Sequence, residues 1–162
     1  QYSLPIKYEF PDYKGDLLTD HFPNWRLNPR EIMKTYQNGL LDGILFDVEF
    51  NGFWLQKWGE RPSHVREALT QARESFLKAP LLIPLFEHQY IPSTPQLAGN
   101  PVFSIWQTDI VHYGNDLFDY LHRKFGIDRP TWAAGQLRHI DFWDDIINHQ
   151  IGPYARSGKP TP

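Results

Sequence analysis

The chain has 162 residues, of which 41% are hydrophobic and 22% are charged, and its formal net charge is −3. This length fits one domain, and an aromatic content of 15% excludes disorder of the whole chain. With 16 basic against 19 acidic residues, the balance argues against a nucleic-acid binder that works through a broad basic patch. The longest apolar runs are far shorter than the about 20 residues that a transmembrane helix needs.

The sequence contains no cysteine, which excludes disulfides, cysteine-ligated metal sites and a cysteine nucleophile. This absence fits a reducing compartment. The first residues also lack the basic segment and apolar core that are typical of a secretory signal peptide. We therefore expect a cytoplasmic protein.

The amino-terminal part predicts one strand, a loop and a short helix. Residues 6–10 alternate apolar and charged side chains and predict an edge strand, and residues 11–27 predict a loop. Asn28 is a favourable helix cap in front of Pro29. The helix is expected to end at Asn38-Gly39, because these residue types adopt the left-handed conformation that ends helices.

The strongest strand signal lies at residues 43–50, where apolar and polar side chains alternate. Asp47 and Glu49 fall on the polar face of this predicted strand. The next residues, Asn51-Gly52, predict a tight turn into a second strand over residues 53–58.

Residues 63–79 carry an apolar stripe at helical spacing and predict a helix. Residues 81–86 predict a strand that contains Pro84, which places it at a sheet edge or a bulge. An irregular loop follows, and residues 102–107 predict a further strand that continues through residues 110–113.

Two helices complete the predicted domain. The first is capped by Asn115 and closed by Gly126, and the second begins near Asp141. Strands and helices alternate irregularly, which indicates a single α+β domain over residues 1–151 with an antiparallel or mixed sheet. The tail from Gly152 predicts disorder.

The common catalytic motifs are missing: there is no glycine-rich phosphate loop, no G-x-S-x-G and no H-E-x-x-H. The seven histidines are scattered, so we expect neither a metal nor a cofactor. A hydrolase that pairs Asp109 with His88 or His112 remains one hypothesis. The stronger interpretation of Asp109 is a buried carboxylate that accepts hydrogen bonds in a turn.

Six tryptophans could form a platform for a sugar if several were exposed side by side. Trp143 lies on a predicted helix stripe and Trp106 on a predicted strand, so we expect both in the core. A small-molecule or carbohydrate-binding module that uses the exposed aromatics is therefore an alternative function.

Charge patterning indicates a possible binding surface, because residues 79–122 contain no Lys or Arg. Carboxylates that gather on one surface would attract a positively charged partner. The candidates for such an acidic face are Asp47, Glu49, Asp116 and Asp119.

Two blocks of the chain carry a recognisable pattern: APLLIPLFEHQYIP at residues 79–92 and GNPVFSIWQTDIVHYG at residues 99–114. NGFW at 51–54, WGERP at 58–62 and FW at 142–143 fit the same pattern. The pattern resembles the SUKH superfamily, which contains the fungal cell-wall synthesis regulator and many bacterial immunity proteins. The resemblance covers residues 28–148 and departs from the family at Gln89, where an arginine is expected.

This resemblance implies an α+β fold, no catalysis and, in bacteria, an immunity protein that neutralises the toxins of neighbouring cells, many of them nucleases. We therefore expect a non-enzymatic protein that binds a toxin, without direct contact to nucleic acid or membrane. The polar residues of the two blocks are expected to support the fold more than to contact a partner, so that Asp109→Ala lowers the melting temperature by several degrees. These residues are His88, Tyr90, Asn100, Gln107, Thr108 and Asp109.

Overall fold

The structure is a computed structural model that describes residues 22–26, 28–130 and 136–151. Within them, four α-helices and one four-stranded antiparallel sheet form the single α+β domain that the sequence predicts. The strand predicted at residues 6–10 and the tail from Gly152 lie outside the described residues. The elements are α1 (Pro29–Phe50), a short 3₁₀ helix (Gln56–Trp58), α2 (Val65–Phe76), β1 (Leu82–Phe86), β2 (Gln89–Pro92), β3 (Val102–Trp106), β4 (Asp109–Gly114), α3 (Leu117–Phe125) and α4 (Trp143–Ile151).

Helix α1 begins as predicted, because the Asn28 side chain accepts a hydrogen bond from the Glu31 backbone N–H at 3.3 Å. It does not end at Asn38-Gly39, and the strand predicted over residues 43–50 is wrong. Ile44 and Val48 are completely buried four residues apart, so the apolar alternation there is also the stripe of a helix. Burial of this stripe outweighs the local preference of Asn-Gly to end a helix.

The hairpin predicted after residue 50 is also wrong. Asn51 caps α1, and its backbone N–H donates to the Asp47 carbonyl. Gly52 has a φ of 70°, which favours glycine, and turns the chain into an extended segment where Phe53 and Leu55 enter the core.

The sheet order is β1-β2-β3-β4, with every neighbouring pair antiparallel. The prediction for Pro84 is confirmed: β1 is an outer strand, and its register shifts between Pro84 and Phe86. Strand β2 was not predicted. The strand predicted to continue past residue 107 instead folds back at Gln107 and Thr108, which we call the hairpin tip.

The remaining predicted helices are confirmed as α2, α3 and α4, with small shifts at their ends. Asp116, rather than Asn115, caps α3, because its side chain accepts from the Asp119 backbone N–H. Gly126 ends α3 in the left-handed conformation, at a φ of 69°.

The two faces of the sheet have different environments. The inner face packs in one hydrophobic cluster with α1, α2 and α4, and it carries Tyr90, Phe103, Ile105 and Ile110. The register places the other side chains on the outer face: Gln89, Ser104, Trp106, Asp109 and Val111. Helix α3 covers part of this outer face, where the Tyr120 hydroxyl donates to Gln89 Oε1 at 3.3 Å.

Candidate functional site

Asp47 fixes the hairpin tip to α1. Its buried carboxylate accepts hydrogen bonds from the Thr108 backbone N–H at 2.9 Å and from the Thr108 hydroxyl at 2.6 Å. Asn51 donates to the other carboxylate oxygen. One turn earlier, Gly43 lets the chains approach closely, because a Cβ there would lie 3.1 Å from the Gln107 Cα. Thr108 and Gln107 therefore hold the hairpin tip against α1.

Asn100 fixes the loop between β2 and β3. Its side-chain amide donates to the carbonyls of Pro92 at 3.1 Å and Pro95 at 2.8 Å. Its side-chain oxygen accepts from Arg138 at 2.5 Å, which ties the loop to the segment before α4. Asn100 is 6% exposed, so these bonds satisfy a buried amide.

The remaining polar residues of the two sequence blocks lie in different environments. Tyr90 is buried on the inner face with its ring against Tyr36, at a centroid distance of 6.1 Å. His88 lies in the turn before β2, where its backbone carbonyl accepts from the Ile105 N–H. Asp109 is exposed at the start of β4, so the expectation that it is a buried carboxylate is wrong.

Asp116 and Asp119 are both buried at the amino-terminal end of α3. Asp116 accepts from the Asp119 N–H at 2.7 Å, and its second oxygen lies 3.0 Å from Arg129. Burial raises the pKa of Asp119. The Asn115 backbone N–H and the guanidinium groups of Arg123 and Arg129 outweigh it and hold that pKa below its ordinary value.

The four carboxylates predicted to form an acidic face do not share a surface. Asp47 is buried under the hairpin tip, and Asp116 and Asp119 are buried and paired at α3. Glu49 alone among the four is exposed. The sequence prediction failed because Asp47 lies on a helix rather than on a strand, and because caps and ion pairs bury the other two.

A buried carboxylate that the sequence did not indicate joins β4 to α4. Asp144 lies 2.7 Å from His112 Nε2 and 3.7 Å from His139 Nδ1, and it accepts from the Ile140 backbone N–H. Burial raises the pKa of Asp144, but His112, the Ile140 N–H and His139 together hold that pKa below its ordinary value of 3.8. No local spacing signal relates residues 112 and 144.

The lowered pKa of Asp144 predicts a loss of folding stability in acid. A pKa that is lower in the folded chain stabilises the fold above pH 3.8, and the stabilisation is lost as the pH falls through the folded-state value. The free energy of unfolding of the unmodified chain should therefore fall more steeply below pH 4 than that of Asp144→Asn. Urea unfolding between pH 2.5 and 7 tests this. Parallel curves for the two proteins would contradict it.

The geometry does not pair Asp109 with His112, one of the two histidines of the hydrolase hypothesis. Asp109 projects from the outer face of the sheet and His112 from the inner face, where it contacts Asp144. Within the described ranges, no group of three or more His, Asp or Glu side chains could hold a metal ion.

Within the part of the chain that the structure describes, the neighbouring rings of Trp54 and Trp58 do not form a flat platform. Trp143 is completely buried, as predicted, but Trp106 is 55% exposed because it lies on the outer face, so its predicted core position is wrong. The rings of Trp54 and Trp58 are 5.0 Å apart but nearly perpendicular, at 82°. Trp132 lies outside the described residues.

An open cleft of about 670 Å³ runs along α2. Its lining mixes both charges, with Lys57, Arg66, Glu67 and Glu74 beside Trp58. One aromatic ring and opposed charges do not define a site for one class of small molecule.

No helix in the described part of the chain is long and apolar enough to cross a membrane. Comparisons of the chain with protein-family models, with curated proteins and with solved structures found no match.

Proposed function

We propose that this chain is a non-enzymatic immunity protein that neutralises a toxin, of the nuclease class, by direct protein–protein association in the cytoplasm. The observation that carries the proposal is the exposure of large aromatic side chains on two adjoining elements, with Phe50 at 65% and Trp106 at 55%. Tryptophan is among the residues that most often supply binding energy at protein interfaces.

The positions of the polar residues support this proposal. Asn100, Thr108 and Tyr90 are engaged in buried hydrogen bonds or ring contacts that hold loops and helices in place. These contacts support a structural role for the three side chains. The resemblance of the same sequence blocks to the SUKH superfamily points to the same class of binding protein.

The alternative of a sugar-binding module has weaker support. Sugars stack on flat and accessible rings, whereas Trp54 and Trp58 pack edge to face against each other. Trp106 projects from the outer face of the sheet, where it would serve a protein partner equally well.

Co-expression tests the proposed function. We expect a gene for a large secreted toxin beside the gene for this chain, and its absence from the genome would count against the proposal. The toxin domain of that gene is induced in bacteria, alone and together with the chain. We expect growth arrest with the toxin alone and normal growth with both. A chain that carries Trp143→Asp, which should not fold because Trp143 is completely buried, is the negative control. Arrest that persists when the folded chain is present at an equal or higher level would overturn the proposal.

A further inference from the structure

The carboxyl-terminal half of α1 lies against the hairpin tip, and this contact orients its faces. Gly43 and Asp47, four residues apart, are on the face that meets the tip. Successive residues of an α-helix are rotated by about 100°. Ile44 and Val48 therefore turn from the tip to one side, toward the core, where both are completely buried.

Phe46 and Phe50 turn to the other side of the same contact, away from the core. Their rings lie 4.9 Å apart, and Phe50 is the more exposed of the two. The side of the tip opposite the core is the outer face of the sheet, from which Trp106 and Asp109 project as direct cross-strand neighbours. The aromatic side chains of α1 and of the hairpin therefore border one surface.

The segments that build this surface carry carboxylates but no lysine or arginine side chains. Neither of the two segments that build it, residues 35–56 and residues 79–122, contains a Lys or an Arg. The exposed charged residues that flank the rings are Asp42 and Glu49 on α1 and Asp109 on β4. Arg61 is the nearby exposed cation, and its guanidinium donates at 2.6 Å to the Val48 carbonyl in the last turn of α1.

We propose that Phe46, Glu49, Phe50, Trp106 and Asp109 form a docking surface for a positively charged protein, namely the phosphate-binding face of a nuclease toxin. We call it the aromatic–acidic surface. This inference rests on the proposed function and adds the place of binding and the chemistry of the partner. A nuclease presents Lys and Arg side chains to the phosphates of its substrate, and those side chains complement carboxylates that surround apolar anchors.

The two kinds of side chain have different roles on this surface. Burial of the Trp106 indole and the Phe50 ring supplies affinity and slows dissociation. Glu49 and Asp109 attract the cationic partner before contact, which mainly raises the association rate. Because both carboxylates are exposed, salt at about 0.15 M, where the Debye length is about 8 Å, should weaken this attraction.

Binding kinetics with matched controls test the surface. The probe is the toxin domain encoded beside the gene for this chain, with its catalytic residue inactivated. We expect Trp106→Ala and Phe50→Ala to weaken binding, with at least about a 30-fold rise in Kd for Trp106→Ala. The control Leu77→Ala removes a side chain that is 71% exposed at the end of α2 and should leave Kd unchanged.

The charge test uses a double variant, Glu49→Lys with Asp109→Lys, which should lower the association rate about tenfold in low salt and less at 0.15 M or above. Glu74→Lys, on the exposed face of α2, is its control. Thermal unfolding checks that each variant folds. If Trp106→Ala does not fold, Phe50→Ala provides a second aromatic variant.

The outcomes separate the two proposals. If the unmodified chain binds the toxin and the surface variants bind as tightly as the controls, the aromatic–acidic surface is overturned and the toxin-binding function stands. If the unmodified chain does not bind the toxin, both proposals are overturned. Weaker binding confined to the surface variants supports both.

Discussion

Gly114→Ala is expected to lower the free energy of unfolding by about 3 kcal/mol. A Cβ at this position would lie 2.7 Å from the Tyr120 backbone nitrogen and 2.8 Å from its Cα. Backbone atoms cannot move aside by changing a rotamer, so α3 as a whole must shift away from β4. The shift would weaken the hydrogen bond of Tyr120 to Gln89, and with it the cover over the outer face of the sheet.

For a chain of this size, such a loss lowers the melting temperature by about 6–12 °C. Gly52→Ala is the matched control, because Gly52 also has a special backbone conformation, at a φ of 70°, but a Cβ there meets nothing within 4 Å. We expect the control to cost about 1 kcal/mol. Urea unfolding curves that give both variants the same midpoint would contradict the close packing of α3 on β4.

Asp47→Ala should have a comparable effect, with a loss of about 3 kcal/mol, because the substitution removes a buried carboxylate that accepts three partly buried hydrogen bonds. The Thr108 backbone N–H, the Thr108 hydroxyl and the Asn51 side chain each lose their hydrogen bond to Asp47. Thr108→Ala removes one of these bonds and should cost less. The cost of the double variant should be smaller than the sum of the two single costs, because the residues share one interaction.

Two neighbouring carboxylates provide the controls for this prediction. Asp42 is exposed on α1 and Asp109 is exposed on β4, so the substitution of either by alanine should change the free energy of unfolding by less than about 0.5 kcal/mol. The structure thus replaces the earlier expectation that Asp109→Ala lowers the melting temperature by several degrees. If Asp109→Ala were as destabilising as Asp47→Ala, the assignment of the structural carboxylate to Asp47 would be wrong.

The sequence predicted those elements whose patterns have one interpretation. The stripe of α2, the cap at Asn28 and the stop at Gly126 each correspond to a single local structure, and all three are confirmed. The pattern over residues 43–50 has two interpretations, because Ile44 and Val48 fit both a strand and a helix. Packing against the rest of the core decides between them, and that packing is not encoded locally.

The candidate site was less predictable, because its contacts join distant residues. Asp47 and Thr108 are 61 positions apart, and His112 is 32 positions from Asp144. The positions of the carboxylates along the chain do not reveal which of them cap helices or form ion pairs. Glu49 is exposed, but on a helix rather than on the predicted strand. Trp106 was predicted in the core because the alternation in its segment does not indicate which face of the sheet is covered.

Titration of toxin activity with the purified chain tests the central claim of binding without catalysis most directly. The nuclease activity of the toxin domain encoded beside the gene is measured as the chain is added at fixed toxin concentration. We predict that activity falls linearly to zero at one chain per toxin, as it does for tight stoichiometric association. Full activity at a several-fold excess of chain, or complete inactivation by a small fraction of an equivalent, would contradict the account.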